Sequence, residues 1–181
     1  MGYSASAFTF NLQGFEMVDP FVAPLWKSAS PTDFWGRRWN TMMNQTLHTG
    51  VYGPLKGAGY NTTVSILAAF LVSGLVHDYC WAVLFYHGQD DAVPRTFTAK
   101  FGKQLAFFGW CGLTMLLERP VGQLPMIQWM SKNLPRVVVS ILIVFTAVPL
   151  AHWYTGDWIE GGFVQSTSQA VFVVRYRPGG L

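Results

Sequence analysis

His77 and Asp78 interrupt a long apolar stretch, Val64–Tyr86, that contains no Lys, Arg, Glu or Pro. An ionisable side chain at membrane depth is costly, and by default it marks a functional or water-lined site. A histidine held away from bulk water stays neutral more readily, so it can accept a proton from a hydroxyl group. We therefore treat His77 as a candidate general base. The alternative is a histidine that hydrogen-bonds to a neighbouring helix for packing alone.

The neighbours of His77 add to this prediction if the stretch is helical. Ser73 would lie one turn before His77 on the same face. Gly74 has no side chain, so we predict a notch beside that face where a substrate could approach. Asp78 would lie about 100° around the helix from His77. We expect Asp78 to form a structural ion pair with an arginine, or to orient a polar group on a neighbour.

A second cluster of chemically useful residues is Pro31–Asn40, which reads PTDFWGRRWN. Trp35 and Trp39 have helical i, i+4 spacing, and Arg37 and Arg38 lie between them. Adjacent arginines beside tryptophans suit a membrane-surface site that binds phosphate while the rings face acyl chains. An interfacial anchor without a substrate is the simpler alternative.

The composition indicates a membrane environment for both clusters. Of the 181 residues, 51% are hydrophobic and 12% are charged, whereas soluble domains carry about 25% charge. Aromatic residues make up 16%, which suits membrane interfaces and apolar tunnels. The net charge of +3 comes without a basic run, so no nucleic-acid partner is predicted. Cys80 and Cys111 lack partners at metal-ligand spacing, and we predict neither a metal site nor a disulfide.

Three apolar stretches could cross a membrane, for which about 20 residues suffice. The first is Val64–Tyr86. Gln104–Leu117 is shorter, ends at Glu118–Pro120, and could instead be buried or re-entrant. Val137–Tyr154 contains Pro149, which is expected to kink it, although its β-branched start could also form a buried strand. We predict an all-α, polytopic transmembrane helical bundle with about three membrane helices, preceded by interfacial helices.

Three membrane helices are too few to surround a polar site on every side. We therefore expect upstream transmembrane helices, a polytopic partner or a homo-oligomer to complete the bundle. Membrane lipid is the remaining expected partner.

Two motifs resemble those of a known family. Ser30–Asn40 resembles the signature of the plant-type wax synthase branch of the membrane-bound O-acyltransferase (MBOAT) superfamily. Phe70–Asp78, read as FLVSGLVHD, is similar to the second hallmark of that branch, a Ser-Gly-x-x-His run inside a membrane helix. Two departures exist: Asp78 stands where the branch usually has Glu, and Trp110–Gly112 stands where relatives often place a His-Gly pair.

The resemblance implies a fold and a domain layout. Residues 15–160 would be part of the catalytic region of an MBOAT fold, its C-terminal part. An N-terminal segment, 1–14, would precede it, and a polar tail, 161–181, would follow.

The resemblance also implies an activity: transfer of a fatty acyl group from acyl-CoA, a co-substrate, to a lipophilic alcohol in the endoplasmic reticulum membrane. His77 matches the catalytic histidine of the family and Asn40 its second polar position. No cofactor or metal is needed, since a thioester is already activated. The substrate-contacting residues would be Trp35, Arg37, Arg38, Trp39, Ser73 and Gly74.

Other functions stay open at this point. The acceptor could be a sterol, a diacylglycerol or a small metabolite instead of a long-chain alcohol. The chain could also be a non-catalytic membrane scaffold or a lipid-binding subunit that keeps the fold. A transporter is disfavoured because no segment of the sequence is duplicated in the way that inverted repeats would leave.

Overall fold

A computed structural model of the chain describes residues 19–84 and 100–160. The predicted N-terminal segment 1–14 and tail 161–181 lie outside the described residues, as does the part of the first apolar stretch beyond residue 84. Within the described ranges the chain is helical, and the only strand-like pairing there is an isolated antiparallel bridge between Phe21 and Trp39. The all-α prediction is confirmed, and the strand alternative for residues 137–145 is wrong.

The helices lie in the following order, with two π-helical turns among them. They are α1 (Pro24–Lys27), α2 (Pro31–Asp33), a first π-helical turn (Phe34–Arg38), α3 (Thr41–Leu47), a second π-helical turn (His48–Tyr52), α4 (Gly53–Gly57), α5 (Thr62–Leu84), α6 (Lys103–Gly122), α7 (Pro125–Asn133), α8 (Arg136–Phe145) and α9 (Val148–Glu160).

The first apolar stretch forms α5, the longest described helix. Asn61 begins it, because its Oδ1 accepts a hydrogen bond from the Val64 N–H at 2.9 Å, as an N-cap residue does. Residues Thr62–Val83 are long and apolar enough to cross a membrane, and only 22% of the most apolar part of this helix is buried. Such low burial differs from that of a core helix in a soluble protein, so the described protein leaves most of α5 free to contact lipid or other helices.

The other two apolar stretches differ from the prediction. The second apolar stretch, which we expected to end at Glu118–Pro120, continues as α6 to Gly122. By length and composition α6 is not a candidate membrane span. Helices α8 and α9 are long and apolar enough to cross a membrane only when taken together, as one span with a bend of 67° between them. By length and composition, the described residues therefore contain one membrane-crossing helix, or two if the bent pair is one span. The prediction was about three.

The bend between α8 and α9 lies at Thr146 and Ala147, just before Pro149, as the proline led us to expect. Pro149 occupies the first turn of α9, where the missing N–H has no helical partner to lose. The indole Nε1 of Trp110 donates to the Thr146 carbonyl at 2.7 Å. The Thr146 carbonyl at the bend thereby accepts a hydrogen bond from α6, and buried backbone groups need such a partner.

Close packing joins α5 and α6. A Cβ added to Gly74 would lie 2.6 Å from the Leu105 Cα, and one added to Gly112 would lie 3.0 Å from the Phe70 side chain. Small residues let helix backbones approach in this way. Trp35 packs against both buried clusters, one around Phe34, Val139 and Ile143, the other around Phe107, Phe108 and Cys111.

Candidate active site

A cavity of about 890 Å³ lies between the Ser30–Asn40 segment and helices α3, α5, α6 and α9. It falls within the size range of small-molecule sites. Its wall includes residues from both sequence motifs, together with one from α9 that the sequence did not single out. Six of the lining side chains are Trp35, Trp39, Asn40, Ser73, His77 and Tyr154.

His77 is half-buried on the wall of this cavity. Its Nδ1 lies 2.7 Å from the Ser73 carbonyl oxygen. A carbonyl can only accept, so Nδ1 must carry the hydrogen, which leaves Nε2 of the neutral ring as a proton acceptor. The ring packs on Phe108 at 4.4 Å between centroids and faces Tyr154 at 6.2 Å. These contacts fix both the orientation and the tautomer that a general base requires.

Asn40 lies on the same cavity wall and begins α3. Its backbone is left-handed, with φ 45° and ψ 62°, a conformation that asparagine tolerates better than most residues. Its Oδ1 accepts from the Met43 N–H at 3.2 Å, which identifies the other amide atom as Nδ2. Among the described residues Nδ2 has no hydrogen-bond partner, and Asn40 and His77 are not bonded to each other. Nδ2 can therefore donate to a ligand.

The segment that carries Asn40 is held at both ends. Ser30 Oγ accepts from the Asp33 N–H at 3.2 Å, and Glu118 on α6 accepts from the Thr32 N–H at 2.7 Å. At the other end the Thr41 N–H donates to the Pro20 carbonyl at 2.9 Å. The Ser30–Asn40 segment also contacts the residues before it in the sequence, because Phe21 pairs with Trp39 in an antiparallel bridge.

The predicted helical register of the two tryptophans is wrong. The helical turn ends at Arg38, and Trp39 is extended, with φ −94° and ψ 122°. Its ring nevertheless lies 6.1 Å from that of Trp35 and stacks on Phe34 at 5.4 Å. Both tryptophans line the cavity, so they share a site through tertiary packing and not through i, i+4 spacing.

The two adjacent arginines have different surroundings. Arg37 is exposed and lines the cavity. Arg38 is outside the lining, because its Nε bonds Asp33 Oδ2 at 2.8 Å and its Nη1 bonds the Val22 carbonyl at 3.2 Å. Burial alone would raise the pKa of Asp33, but the bonds from Arg38 and from the Ala29 N–H outweigh it and lower that pKa. Arg38 therefore holds the turn together, and Arg37 is the arginine of this pair that is available to a ligand.

Ser73 and Gly74, which we predicted to share the cavity, have different surroundings in the structure. Ser73 is buried and lines the cavity with His77. The notch predicted at Gly74 is filled by the backbone of Gln104 and Leu105. Gly74 therefore contacts α6 and not the cavity, and in this structure it is a helix-packing residue.

Asp78 has a structural role, as expected, but its predicted arginine partner is wrong. Its carboxylate is almost fully buried and accepts from the N–H groups of Gly102, Gln104 and Leu105, at 3.0, 3.2 and 3.2 Å. These groups are the unpaired donors at the start of α6, and a helix N-terminus stabilises negative charge. Asp78 thus joins the helix of His77 to the helix that supplies Phe107 and Phe108.

Several cavity residues were missed by the sequence reasoning. Glu118 and Arg119 line the cavity from the C-terminal part of α6, and Asn44 lines it from α3. The Asn44 side chain donates to the Trp35 carbonyl at 3.1 Å. The charged pair closing the second apolar stretch was a possible signal for the first two. No three His, Cys, Asp or Glu side chains in residues 19–84 and 100–160 are placed to hold a metal ion.

A family model and several known proteins resemble parts of this chain. Residues 18–100 match the sequence model of the membrane bound O-acyl transferase family. In Arabidopsis thaliana, the probable long-chain-alcohol O-fatty-acyltransferase 9 is 38% identical over 80 residues, 40% of this chain and 22% of that protein. The acyl-CoA–sterol O-acyltransferase 1 of the same plant is 34% identical over 80 residues, 41% of this chain and 22% of that protein.

One alignment extends over most of the chain. The probable long-chain-alcohol O-fatty-acyltransferase 3 of Arabidopsis thaliana is 27% identical over 166 residues, 87% of this chain and 44% of that protein. The chain thus spans less than half the length of each of these curated relatives. No solved structure matches it. The family match spans both motifs, so residues 18–100 are similar to the membrane bound O-acyl transferase family, and the relatives named for long-chain alcohols resemble its wax synthase branch.

Proposed function

We propose that this chain contributes the catalytic cavity of an acyl-CoA-dependent O-acyltransferase that esterifies a lipophilic alcohol. One observation carries the proposal: His77 and Asn40, from two motifs 37 positions apart in the sequence, line a single cavity. One offers a proton acceptor at Nε2, and the other offers a free donor at Nδ2. Transfer of an acyl group to a hydroxyl requires this pair of functions.

In the proposed reaction, His77 Nε2 removes the hydroxyl proton of the alcohol as its oxygen attacks the thioester carbonyl carbon. Asn40 Nδ2 donates a hydrogen bond to the carbonyl oxygen as negative charge develops there. When the carbon–sulfur bond breaks, the CoA sulfur leaves and takes the proton from His77, which gives an ester and free CoA. General-base assistance contributes about 10²- to 10⁴-fold in rate, and one oxyanion donor about 10²- to 10³-fold.

Side chains around this pair suit the two substrates. Arg37 is exposed at the cavity and can bind the phosphates of CoA as a charge-assisted donor. Trp35 and Trp39 present aromatic surface for an acyl chain. The family context and the apolar α5 support a membrane location, which we propose to be the endoplasmic reticulum, with further helices completing a polytopic bundle.

The acceptor alcohol is proposed at the level of its class. Two of the relatives are named for long-chain alcohols and one for a sterol, and all of these acceptors are lipophilic molecules with a hydroxyl group. The cavity adds a mostly aromatic wall near His77, which suits either acceptor. We therefore propose a long-chain alcohol as the first acceptor to test, and a sterol as the second.

The test compares His77→Ala with His152→Ala in microsomes from cells that lack endogenous ester synthesis. His152 is an exposed histidine outside the cavity lining, so it is the matched control. Each variant is assayed as this chain and as a fusion to the upstream part of a relative, with labelled acyl-CoA and each acceptor. We expect ester from the wild type and from His152→Ala, and at least a 10²-fold loss from His77→Ala.

The outcomes distinguish catalysis from a scaffold. Equal ester formation by the wild type and His77→Ala, at equal protein levels, would contradict the assigned base. Failure of the wild-type fusion with every acceptor, while the intact relative is active in the same membranes, would favour the non-catalytic scaffold.

A further inference from the structure

Tyr154 on α9 brings an unassigned polar group to the cavity beside His77. Its half-buried ring lies 6.2 Å from the His77 ring and 4.9 Å from the Phe107 ring, by centroids. The side chain lines the cavity. Its hydroxyl has no hydrogen-bond partner among the described residues, and it is not among the fully buried unsatisfied atoms. The hydroxyl is thus accessible and free to bind a ligand.

The position of Tyr154 relative to His77 is fixed by buried contacts. Gln104, which is fully buried, donates from Nε2 to the carbonyls of Trp153 and Tyr154 at 3.1 and 3.3 Å. The Gln104 N–H in turn donates to Asp78 Oδ1 at 3.2 Å, and Asp78 directly follows His77. A short chain of hydrogen bonds therefore connects the backbone of Tyr154 to the helix of the proposed base. A catalytic group needs this kind of support from its surroundings.

The Lys103–Asp157 ion pair fixes the same helix a second time. Lys103 Nζ lies 2.6 Å from Asp157 Oδ1, and the carboxylate is 1% exposed. This contact joins the start of α6 to α9 one turn beyond Tyr154. Breaking a buried pair by removing one partner is strongly destabilising, so α9 is held firmly against α6.

A phenol keeps its proton at neutral pH and can act as a hydrogen-bond donor. Donation to the attacking alcohol oxygen would oppose its activation by His77, because it would hold the lone pair needed for attack. Donation to the thioester carbonyl oxygen instead becomes stronger as that oxygen gains charge, which is the condition for catalysis. The carbonyl oxygen is therefore the substrate atom that the chemistry of the cavity favours for Tyr154.

We propose that the Tyr154 hydroxyl and the Asn40 amide together form the oxyanion hole of this acyltransferase, an inference that rests on the function proposed above. As the alcohol oxygen bonds to the carbonyl carbon, the π electron pair moves to the carbonyl oxygen. Tyr154 and Asn40 donate hydrogen bonds to it and keep their protons. The pair returns as the carbon–sulfur bond breaks, and the proton held by His77 passes to the CoA sulfur.

The experiment replaces Tyr154 by Phe, which removes one oxygen and keeps the ring packing. Tyr79→Phe is the matched control, since Tyr79 lies on α5 with 69% of its surface exposed and outside the cavity. In the active fusion we expect Tyr154→Phe to lower kcat by about 10²- to 10³-fold, with KM for acyl-CoA and alcohol within about twofold of wild type, as loss of a transition-state contact requires. Tyr79→Phe should keep the wild-type kcat.

Each result bears on Tyr154 separately from the overall function. Unchanged kcat in Tyr154→Phe, with an active wild type that depends on His77, would overturn the oxyanion role and leave the acyltransferase standing. A raised KM with unchanged kcat would also overturn it, because Tyr154 would then bind the ground state. An inactive wild-type fusion, with the intact relative active, would overturn the proposed function and this inference with it.

Discussion

Substitutions at Asn40 can separate its structural role from its proposed chemical role. The Oδ1 atom caps α3, and the backbone has φ 45°. Loss of an asparagine cap to alanine costs about 1 kcal/mol, and the left-handed conformation costs a non-glycine residue about 1–2 kcal/mol. Asn40→Ala would therefore combine a folding defect of roughly 2–3 kcal/mol with any loss of catalysis. Alanine alone cannot test the role of Nδ2.

Asn40→Gly and Asn40→Asp avoid this problem in different ways. Glycine adopts positive φ freely and replaces a cap at a cost of a few tenths of a kcal/mol. Aspartate keeps an oxygen for the Met43 N–H and caps about as well as asparagine. Both remove the Nδ2 donor, and aspartate also adds negative charge where the oxyanion would form. We expect both to fold, with kcat lowered about 10²- to 10³-fold by glycine and at least as much by aspartate.

The matched control is Asn61→Asp. Asn61 caps α5 through the same kind of bond, Oδ1 to the Val64 N–H at 2.9 Å, and lies outside the cavity lining. The assay measures ester formation at saturating acyl-CoA and the thermal midpoint of the same detergent-solubilised samples. Wild-type kcat in Asn40→Gly would refute the donor role. A midpoint that falls as far in Asn40→Gly as in Asn40→Ala would refute the account of the backbone.

Two further predictions concern stability. Gly74→Ala should destabilise the protein by about 1–3 kcal/mol, because the new Cβ would lie 2.6 Å from the Leu105 backbone. Gly57→Ala, with nothing within 4 Å, should have a much smaller effect on the thermal midpoint, and an equally small effect of Gly74→Ala would contradict the packing role. The lowered pKa of Asp33 means that its ion pair with Arg38 contributes full stability above the unfolded value of 3.8, and loses it as pH falls through the lower folded pKa. The midpoint should therefore depend less on pH below that value in Asp33→Asn than in the wild type, and an unchanged acid dependence would argue against the pair.

The sequence predicted which residues line the cavity more reliably than it predicted their contacts. An ionisable residue within an apolar stretch is visible in any sequence, so His77 could be found without the fold. The asymmetry between Arg37 and Arg38 could not, because it depends on a turn that directs one of them to Asp33 and Val22. Local spacing predicted a helical pair for the tryptophans, but the helical turn ends one residue too early for that.

Contacts between distant residues explain the other differences. The sequence indicates that the charge of Asp78 needs a partner. In the structure the partners are three backbone N–H groups, 24 to 27 residues later in the chain, which donate to its carboxylate. Backbone donors carry no sequence signal, so an arginine was the natural expectation. In the sequence Tyr154 only ended the third apolar stretch, and the bend at Thr146 and Ala147 brings α9 against α6 and the cavity.

Helix ends are where this molecule places several of its buried polar contacts, and this choice has a physical reason. A carboxylate far from water needs either a cation or several N–H donors, and the first turn of a helix supplies the donors without a second buried charge. Asp78 meets the start of α6 in this way, and the half-buried Glu118 accepts one N–H group at the start of α2. Both contacts hold elements that carry cavity residues, since α6 supplies Phe108 to the His77 ring and α2 leads into the turn before Asn40. A backbone N–H group carries no net charge, so these two contacts position the helix of His77 and the segment before Asn40 without adding a cation of their own to the cavity.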